Sequence, residues 1–236
     1  MSTEVANGST MRITVVIPVL NEEKSIASTL RVLMLLGPDE LIIVDGGSTD
    51  RTREICESLG VAVISSSRGR AQQMNEGARQ ATGDVLLFLH ADTRLPPSAF
   101  ADIRGALIQD PRVVGGRFDV SLDGDGWIFR LIGRLIILRS RLTRVATGDQ
   151  GIFVRRDVFH QLGGYSEIPL LEDVRFSRAL KRTGVVACLR SRVVTSARRW
   201  QVEGVGKTIL KMWALRALYL LGISPLRLKH YYDDTR

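Results

Sequence analysis

Apolar strand-like runs alternate with helix-like segments over the first half of the chain, and this alternation restricts the possible folds most strongly. The β-rich runs are followed by helical periodicity after links of only a few residues, and they lie at 13–19, 41–44, 61–65 and 84–89. Short links of this kind predict parallel strands joined by crossover helices. We therefore predict an α/β fold with a mostly parallel central sheet and helices on both faces.

The second half of the chain has a less regular pattern. Strands are predicted at 113–120 and 150–154, with short strands near Val185 and Val193. Helical periodicity covers 171–182 and an amphipathic C-terminal segment at about 203–222. No linker of Pro, Gly and Ser separates the halves, so residues 12–236 are predicted to form a single domain. Residues 1–11 are polar and are predicted to be a disordered tail.

The chain is basic, with a formal net charge of +8 over 236 residues. Such a charge suits nucleic acid, anionic lipid or phosphorylated ligands. The sequence has no helix-turn-helix, zinc-finger spacing or aromatic stacking platform, which argues against nucleic acid. Cys56 and Cys188 are far apart and fit a reducing compartment. Without a secretory signal or an apolar run of about 20 residues, a cytoplasmic location is expected.

Polar clusters follow the strands of the first half, where parallel strands bring their carboxyl ends to one edge of a sheet. They are Asn21-Glu22, Asp45-Gly46-Gly47-Ser48-Thr49-Asp50, Arg68-Gly69-Arg70 and His90-Ala91-Asp92. Open α/β sheets bind their ligands at this edge. Ordinary loop chemistry would explain any one of the clusters, but it explains four in succession poorly. The sequence therefore predicts a ligand site there.

His90 and Asp92 follow directly after the apolar run Val85–Leu89. In an extended chain, residues two positions apart point to the same side, so both could face one divalent ion or one phosphate. The alternative is an ordinary strand end whose solvated aspartate caps the next helix.

These motifs, taken in order, resemble those of family 2 glycosyltransferases, and in particular the short bacterial members with an HAD motif. The likeness extends from about residue 12 to residue 200. It rests on Ile17–Glu22, Val44–Asp50, Arg70–Gly77, His90-Ala91-Asp92 and Leu171-Glu172-Asp173.

The resemblance implies a Rossmann-like GT-A fold, a nucleotide-diphospho-sugar donor, a divalent metal (Mn²⁺ or Mg²⁺) and inversion at the anomeric carbon. UDP-sugars are the commonest donors of the family. By position, Asp92 would bind the metal, with His90 as a second candidate ligand, and Asp173 would be the general base. The nucleotide pocket would be lined by Pro18, Glu22, Asp45 and Arg70. A nucleotide-sugar half would then span about 12–110 and an acceptor half about 111–200.

Residues 148–151 precede a strand and are candidates for the acceptor wall. Asp149 and Gln150 have side chains suited to sugar hydroxyls, although a purely structural turn is an equal alternative. Trp200 is a third acceptor candidate, because Arg199-Trp200 resembles the end of the QxxRW signature of processive members. Ser196 stands where that signature has Gln, so processive polymer synthesis is not indicated.

Two basic and apolar segments, Trp127–Arg144 and Val205–Leu221, interleave arginine or lysine with large hydrophobic side chains. Such segments can lie in a membrane interface and face anionic lipid. The alternative is an amphipathic helix packed on the sheet with a solvated basic face. The first reading predicts an enzyme peripheral to the inner face of the cell membrane, with a lipid-linked or apolar acceptor.

Two other functions compete with a sugar transferase. A nucleotidyltransferase would carry a Gly-rich basic loop after the first strand, where this chain has Asn21-Glu22-Glu23. A non-catalytic nucleotide-sugar-binding protein or a membrane-associated scaffold would need no base. The presence of both Asp92 and Asp173 therefore favours the transferase.

Overall fold

The structure, a computed structural model, describes residues 11–229 and residue 231. Residues 1–10 of the predicted tail lie outside the described residues. The strands are β1 (Ile13–Val19), β2 (Glu40–Asp45), β3 (Val63–Ser65), β4 (Val85–Phe88), β5 (Thr93–Arg94), β6 (Val113–Leu122), β7 (Ile152–Arg155) and β8 (Val185–Thr195). The helices are α1 (Ile26–Leu36), α2 (Thr52–Ser58), α3 (Arg70–Gln80), α4 (Ala99–Gln109), α5 (Trp127–Thr143), α6 (Arg156–Gln161), α7 (Glu172–Leu180), α8 (Arg198–Glu203), α9 (Val205–Leu220) and α10 (Pro225–Lys229).

The strands described above form one mixed sheet in the order β3-β2-β1-β4-β7-β6-β8-β5. The pairs among β1 to β4 are parallel, as the alternation predicts, and β6 also runs parallel to β8. β7 is antiparallel to both of its neighbours, and β5 is antiparallel to β8. Because β1 lies between β2 and β4, the strand order reverses beside β1, and such a switch point is where open α/β sheets bind ligands.

Helices cover both faces of the sheet, and the period-two pattern of β1 shows how. Ile13, Val15 and Ile17 point to one face and pack with α1, α2 and α4. Val16 points to the other face and packs with α3, α6 and α7. A strand buried on both faces must be apolar throughout, which explains the uninterrupted hydrophobic runs of the first half.

Three elements differ from the sequence-based prediction. β8 is one strand rather than two, because it pairs with β6 along its length through two register irregularities. The strand predicted from Gln150 begins at Ile152, because Gly148–Gln150 forms a 3-10 turn. The C-terminal helix predicted over 203–222 is α9, and Gly204, at φ 83°, separates it from α8.

α3 lies unusually close to the sheet at Gly77. A Cβ atom at this position would lie 2.4 Å from Cγ1 of Val16 and 3.1 Å from Cγ2 of Val44. The missing side chain therefore sets the distance between the sheet and the helix that begins with Arg70.

We predict that Gly77→Ala destabilises the protein by about 1–3 kcal/mol, since an extra methyl group overpacks a tight interface. The matched control is Gly105→Ala in α4, where an added Cβ meets nothing within 4 Å. Removing glycine from an open helical position should instead stabilise the protein by about 0.5–1 kcal/mol. Urea denaturation measures both changes. Equal effects in the two variants would contradict the close approach at Gly77.

Candidate active site

The loops after β1 and β2 are held together by hydrogen bonds. Nε2 of the buried Gln73, on α3, donates to the carbonyl oxygen of Val19 at 2.7 Å and to that of Val44 at 2.8 Å. Across the loops, the backbone N–H of Glu22 donates to Oγ1 of Thr52 at 2.7 Å. The segments that carry Pro18, Glu22 and Asp45 are therefore positioned as one unit.

Asp45 is the last residue of β2, and its side chain is buried. Its Oδ1 accepts a hydrogen bond from the backbone N–H of Ser48 at 3.0 Å, and also one from the Ser48 hydroxyl. Part of its hydrogen-bonding capacity is thus used to shape the loop. Pro18, opposite Val44 in the parallel register, is half-buried at the same edge.

Glu22 and Asp92 lie at the switch point, in the loops after β1 and β4. Burial raises the pKa of the Asp92 carboxyl, and the negative charge of Glu22 raises it further. The positive charges of Arg198 and Arg70 oppose this shift. The sheet edge therefore gathers two carboxylates and two arginines around one small region.

The chain does not stay extended through His90 and Asp92, so the extended-strand geometry on which the sequence-based argument for this pair rests is wrong. β4 ends at Phe88, and the backbone N–H of Thr93 donates to the carbonyl oxygen of His90 at 3.1 Å, which closes a turn. The imidazole of His90 packs against Gly148, where an added Cβ would lie 2.4 Å from Nε2. His90 thus lies against the turn at 148–150.

Arg70 links the donor side of the edge to α7. Its Nη1 lies 3.5 Å from Oε1 of the buried Glu172, and its charge also acts on Asp92. Burial raises the pKa of Glu172, Arg70 opposes this shift and the charge of Asp173 adds to it. The neighbouring residues Glu172 and Asp173 therefore share one cleft with Arg70, and His90 also lines this cleft.

Asp173 is held at the N-terminus of α7. Its Oδ2 accepts a hydrogen bond from the backbone N–H of Gly148 at 2.7 Å, and its Oδ1 accepts one from that of Val174 at 2.6 Å. Leu171, just before the helix, has the left-handed conformation with φ 64°. A bulky residue rarely adopts this conformation, and such strain collects at functional sites. The start of α7 is thus strained and fixed in position.

The predicted acceptor residues differ in their surroundings. Gln150 is fully buried, donates to Oγ of Ser140 and accepts from the backbone N–H of Thr147, so it supports the 3-10 turn. Asp149 is half-buried, and its Oδ1 has no hydrogen-bond partner in the described part of the chain. Trp200 packs beside Phe129 and Ala197. Of the three, Asp149 has a side chain with unused capacity.

Three charged residues escape the sequence analysis as site residues. In the sequence, Glu172 stands out only as part of the motif Leu171-Glu172-Asp173, yet it is the partner of Arg70. Arg198 follows β8, and its position after a strand was the available signal. Arg139 lies in a basic segment, and its pKa is lowered to about 10 by burial and by the charge of Arg216. No sequence spacing indicates that Arg139 and Arg216 are neighbours.

The residues present fit a divalent metal that is shared with a ligand. Among the described residues, no three His, Cys, Asp or Glu side chains form a metal-binding group. Asp92 offers carboxylate oxygens with a charge that burial disfavours. Mg²⁺ is commonly held by one or two carboxylates together with substrate phosphates. Asp92 is therefore the residue that would hold such an ion.

Comparison with known proteins decides the family. Residues 14–163, more than half of the chain, match glycosyl transferase family 2. The chain belongs to this family. The sequence-based identification of a family 2 glycosyltransferase is thereby confirmed.

A curated relative is the undecaprenyl-phosphate 4-deoxy-4-formamido-L-arabinose transferase of Pectobacterium carotovorum subsp. carotovorum. It is 34% identical over 158 residues, which cover 61% of this chain and 47% of the relative. The chain thus spans about half the length of the curated relatives it matches.

Solved structures show the same fold. Glucosyl-3-phosphoglycerate synthase from Mycobacterium tuberculosis, in complex with Mg²⁺ and UDP, has a TM-score of 0.59 at 21% identity, covering 77% of this chain and 70% of that one. A mannosyltransferase from Pyrobaculum calidifontis, in complex with GDP-mannose and Mn²⁺, has a TM-score of 0.60 at 22% identity, covering 78% and 56%. The predicted GT-A-type α/β fold is confirmed.

We predict that Asp92→Asn raises the melting temperature of the metal-free protein at pH 7. The raised pKa of Asp92 means that its charge costs stability once the pH rises through the folded-state pKa. Below the pKa of the unfolded state, both states are protonated and this cost disappears. Thermal melts from pH 3 to pH 8 measure the effect.

Asp125→Asn, at an exposed position, is the control and should leave the pH dependence unchanged. A lower melting temperature for Asp92→Asn at pH 7 would contradict a net destabilising charge at Asp92.

Proposed function

We propose that this protein is an inverting, metal-dependent glycosyltransferase that moves a sugar from a nucleotide-diphospho-sugar to the hydroxyl of a lipid-linked acceptor. The observation that carries the proposal is the arrangement of Asp92 and Asp173 at one sheet edge, with Arg70 acting on Asp92 and paired with the neighbour of Asp173. Such a site offers stabilisation of a leaving diphosphate and, separately, a carboxylate for proton transfer.

The donor is assigned to the loops after β1, β2 and β4. Pro18, Glu22 and Asp45 lie at the edge where the nucleotide would bind, and Arg70 supplies a guanidinium suited to phosphate oxygens. When bound at Asp92, Mn²⁺ or Mg²⁺ would supply positive charge to the diphosphate. His90 stays a second candidate ligand. UDP is favoured as the nucleotide by its frequency in the family.

Asp173 is assigned as the base. The acceptor oxygen would bond to the anomeric carbon while the bond from that carbon to the diphosphate oxygen breaks, and the electron pair leaves with the diphosphate. Asp173 would take the proton of the acceptor hydroxyl. The bonds from Gly148 and Val174 aim its carboxylate, and Asp149 lies on the adjoining turn as a contact for the acceptor.

The outer faces of two helices support a membrane-bound acceptor. On α5, the exposed apolar side chains form one stripe at helical spacing: Trp127, Leu131, Leu135, Leu138 and Leu142. Exposed Arg130 and Arg134 flank this stripe. On α9, Leu210 and Trp213 are also exposed. An apolar stripe beside arginines is complementary to an anionic lipid surface. We assign these faces to the inner face of the cell membrane.

No helix among the described residues has the length and apolar character needed to cross a membrane. The relative from Pectobacterium carotovorum subsp. carotovorum is an undecaprenyl-phosphate sugar transferase, and undecaprenyl phosphate is a lipid. This supports a lipid-linked acceptor here.

A non-catalytic nucleotide-sugar-binding protein is the second candidate, because the donor loops alone would serve it. The strained start of α7 favours catalysis, since binding of the donor gives no reason to fix Asp173 at this cost. The two candidates differ in one measurable property, which is turnover.

We predict that Asp173→Asn lowers sugar transfer at least 100-fold, the lower range for losing a general base, and keeps donor affinity. Donor binding is measured by thermal shift with UDP-, GDP- and dTDP-sugars, each with and without Mn²⁺. Transfer is measured as labelled sugar moved to a lipid extract or to water.

Glu167→Gln, an exposed carboxylate ahead of the same helix, is the control and should retain transfer. Transfer that survives Asp173→Asn would show that another residue is the base. Donor binding without any transfer by the natural sequence would favour the non-catalytic candidate.

We predict that Leu138→Ser combined with Leu142→Ser lowers binding to anionic liposomes roughly 10-fold or more, because each inserted leucine contributes on the order of 1 kcal/mol or above. Flotation with phosphatidylglycerol vesicles measures binding at low salt. Leu35→Ser combined with Ile108→Ser is the control, because these side chains are also largely exposed but lie on α1 and α4. Equal loss in both variants, or no binding by the natural sequence, would overturn the membrane assignment.

A further inference from the structure

Arg139 of α5 and Arg216 of α9 lie near the start of α7, which carries the candidate base, and neither arginine is assigned a role above. The Nε atoms of Arg139 and Arg216 are both buried, and neither donates a hydrogen bond within the described part of the chain. A buried polar group without a partner is costly and needs an explanation. Two such donors in one place indicate a ligand that accepts hydrogen bonds.

The position of Arg139 is fixed by the turn that aims the base. Its Nη2 donates to Oγ1 of Thr147 at 3.3 Å, and the next residue, Gly148, donates its N–H to Asp173. The charges of Asp149 and Asp173 act on Arg139, but neither carboxylate forms an ion pair with it among the described residues. Arg139 therefore lies on the acceptor side of the base.

The packing of α9 on α7 brings Arg216 to the same place. Leu215 of α9 is buried in one cluster with Leu171 and Val174 at the start of α7. The guanidinium of Arg178 on α7 lies 5.8 Å from the ring centre of Tyr219 on α9. The charge of Arg216 is, after burial, the largest cause that lowers the pKa of Arg139, so the two guanidinium groups lie within electrostatic range of each other.

A third arginine, Arg117, adds positive charge that acts on Arg139. Arg117 is only 1% exposed, and its Nε and Nη2 atoms have no hydrogen-bond partner in the same described part. Asp119 already pairs with both Arg117 and Arg141. Since like charges held in a partly buried place repel each other, an anion between Arg139 and Arg216 would relieve the repulsion.

We propose that Arg139 and Arg216 bind a phosphate group of the acceptor. Guanidinium groups match phosphate oxygens in geometry and charge, and each of these two has a buried Nε donor that is not used within the described part of the chain. The donor diphosphate is a poorer occupant, because Arg70 and Arg198 act on Asp92 at the other carboxylate. α5 and α9 also carry the exposed apolar faces, so a phosphate at this place lies where a lipid headgroup would arrive. The inference rests on the proposed function and narrows its acceptor.

The test compares ligands that differ either in the phosphate or in the lipid chain. Farnesyl phosphate, farnesol and glycerol 3-phosphate are titrated into the full chain below the micellar concentration of the lipids, with binding measured by calorimetry. We expect farnesyl phosphate to bind at least 10-fold more tightly than farnesol. Weak binding of glycerol 3-phosphate would identify a lipid phosphate, and equal binding would identify a soluble phosphate ester. Farnesol binding as tightly as farnesyl phosphate would overturn the proposal.

The variant Arg139→Gln with Arg216→Gln should lose roughly 10-fold in phosphate affinity for each arginine, as expected for charge-assisted hydrogen bonds. Arg31→Gln with Arg182→Gln removes the same charge at exposed positions and should bind as the natural sequence does. Unchanged affinity in the first variant would overturn the proposal.

Two further measurements keep the test decisive. In the natural sequence, farnesyl phosphate should protect Arg139 and Arg216 from phenylglyoxal, as mapped by mass spectrometry, and lack of protection would overturn the proposal even if the double variant failed to fold. UDP binding with Mn²⁺ is measured in parallel. If the natural sequence did not bind UDP with Mn²⁺, that result would count against the proposed function. The titration with farnesyl phosphate tests the site at Arg139 and Arg216 independently.

Discussion

The site depends on one buried amide. Gln73 bridges the carbonyl groups of Val19, the last residue of β1, and Val44, the penultimate residue of β2, and it does so from α3, whose approach to the sheet is set by Gly77. The carbonyl oxygen of Val19 also accepts a hydrogen bond from the backbone N–H of Gly46 at 3.0 Å, so the end of β1 is joined both to α3 and to the loop after β2. The same helix begins with Arg70, so the contact that closes the sheet edge also places a guanidinium over it. Fold and site are thus coupled through a single helix.

The sheet edge concentrates charge at a cost in stability. Asp92 and Glu172 both have a raised pKa, and burial is the largest cause in each case. Arg70 opposes both shifts without cancelling either. Groups of this kind are better stabilised by ligands than by the folded chain alone, which is common where binding and chemistry take place.

Sequence reasoning succeeded where the information is local. The alternation of strands and helices predicts the parallel half of the sheet, and Asp45 and Asp92 lie where strands end, Asp45 as the last residue of β2 and Asp92 in the loop after β4. It was less successful where distant segments meet. The pairing of Arg70 with Glu172 joins residues 102 positions apart, and the turn at His90 depends on a hydrogen bond that no spacing predicts. The electrostatic effect of Arg216 on Arg139 likewise depends on how α9 packs on α7.

Leu171, which has the left-handed conformation, joins the start of α7 to α9 through side-chain packing. Glycine would adopt this conformation without strain, but leucine supplies the side chain that packs with Leu215. The chain thus accepts a strained backbone in exchange for a contact with α9. In consequence, displacement of α9 would remove the packing that holds Leu171 in place and would release the start of α7. Under the proposed membrane contact, a lipid surface that holds α9 would also steady the start of α7, and with it the carboxylate of Asp173.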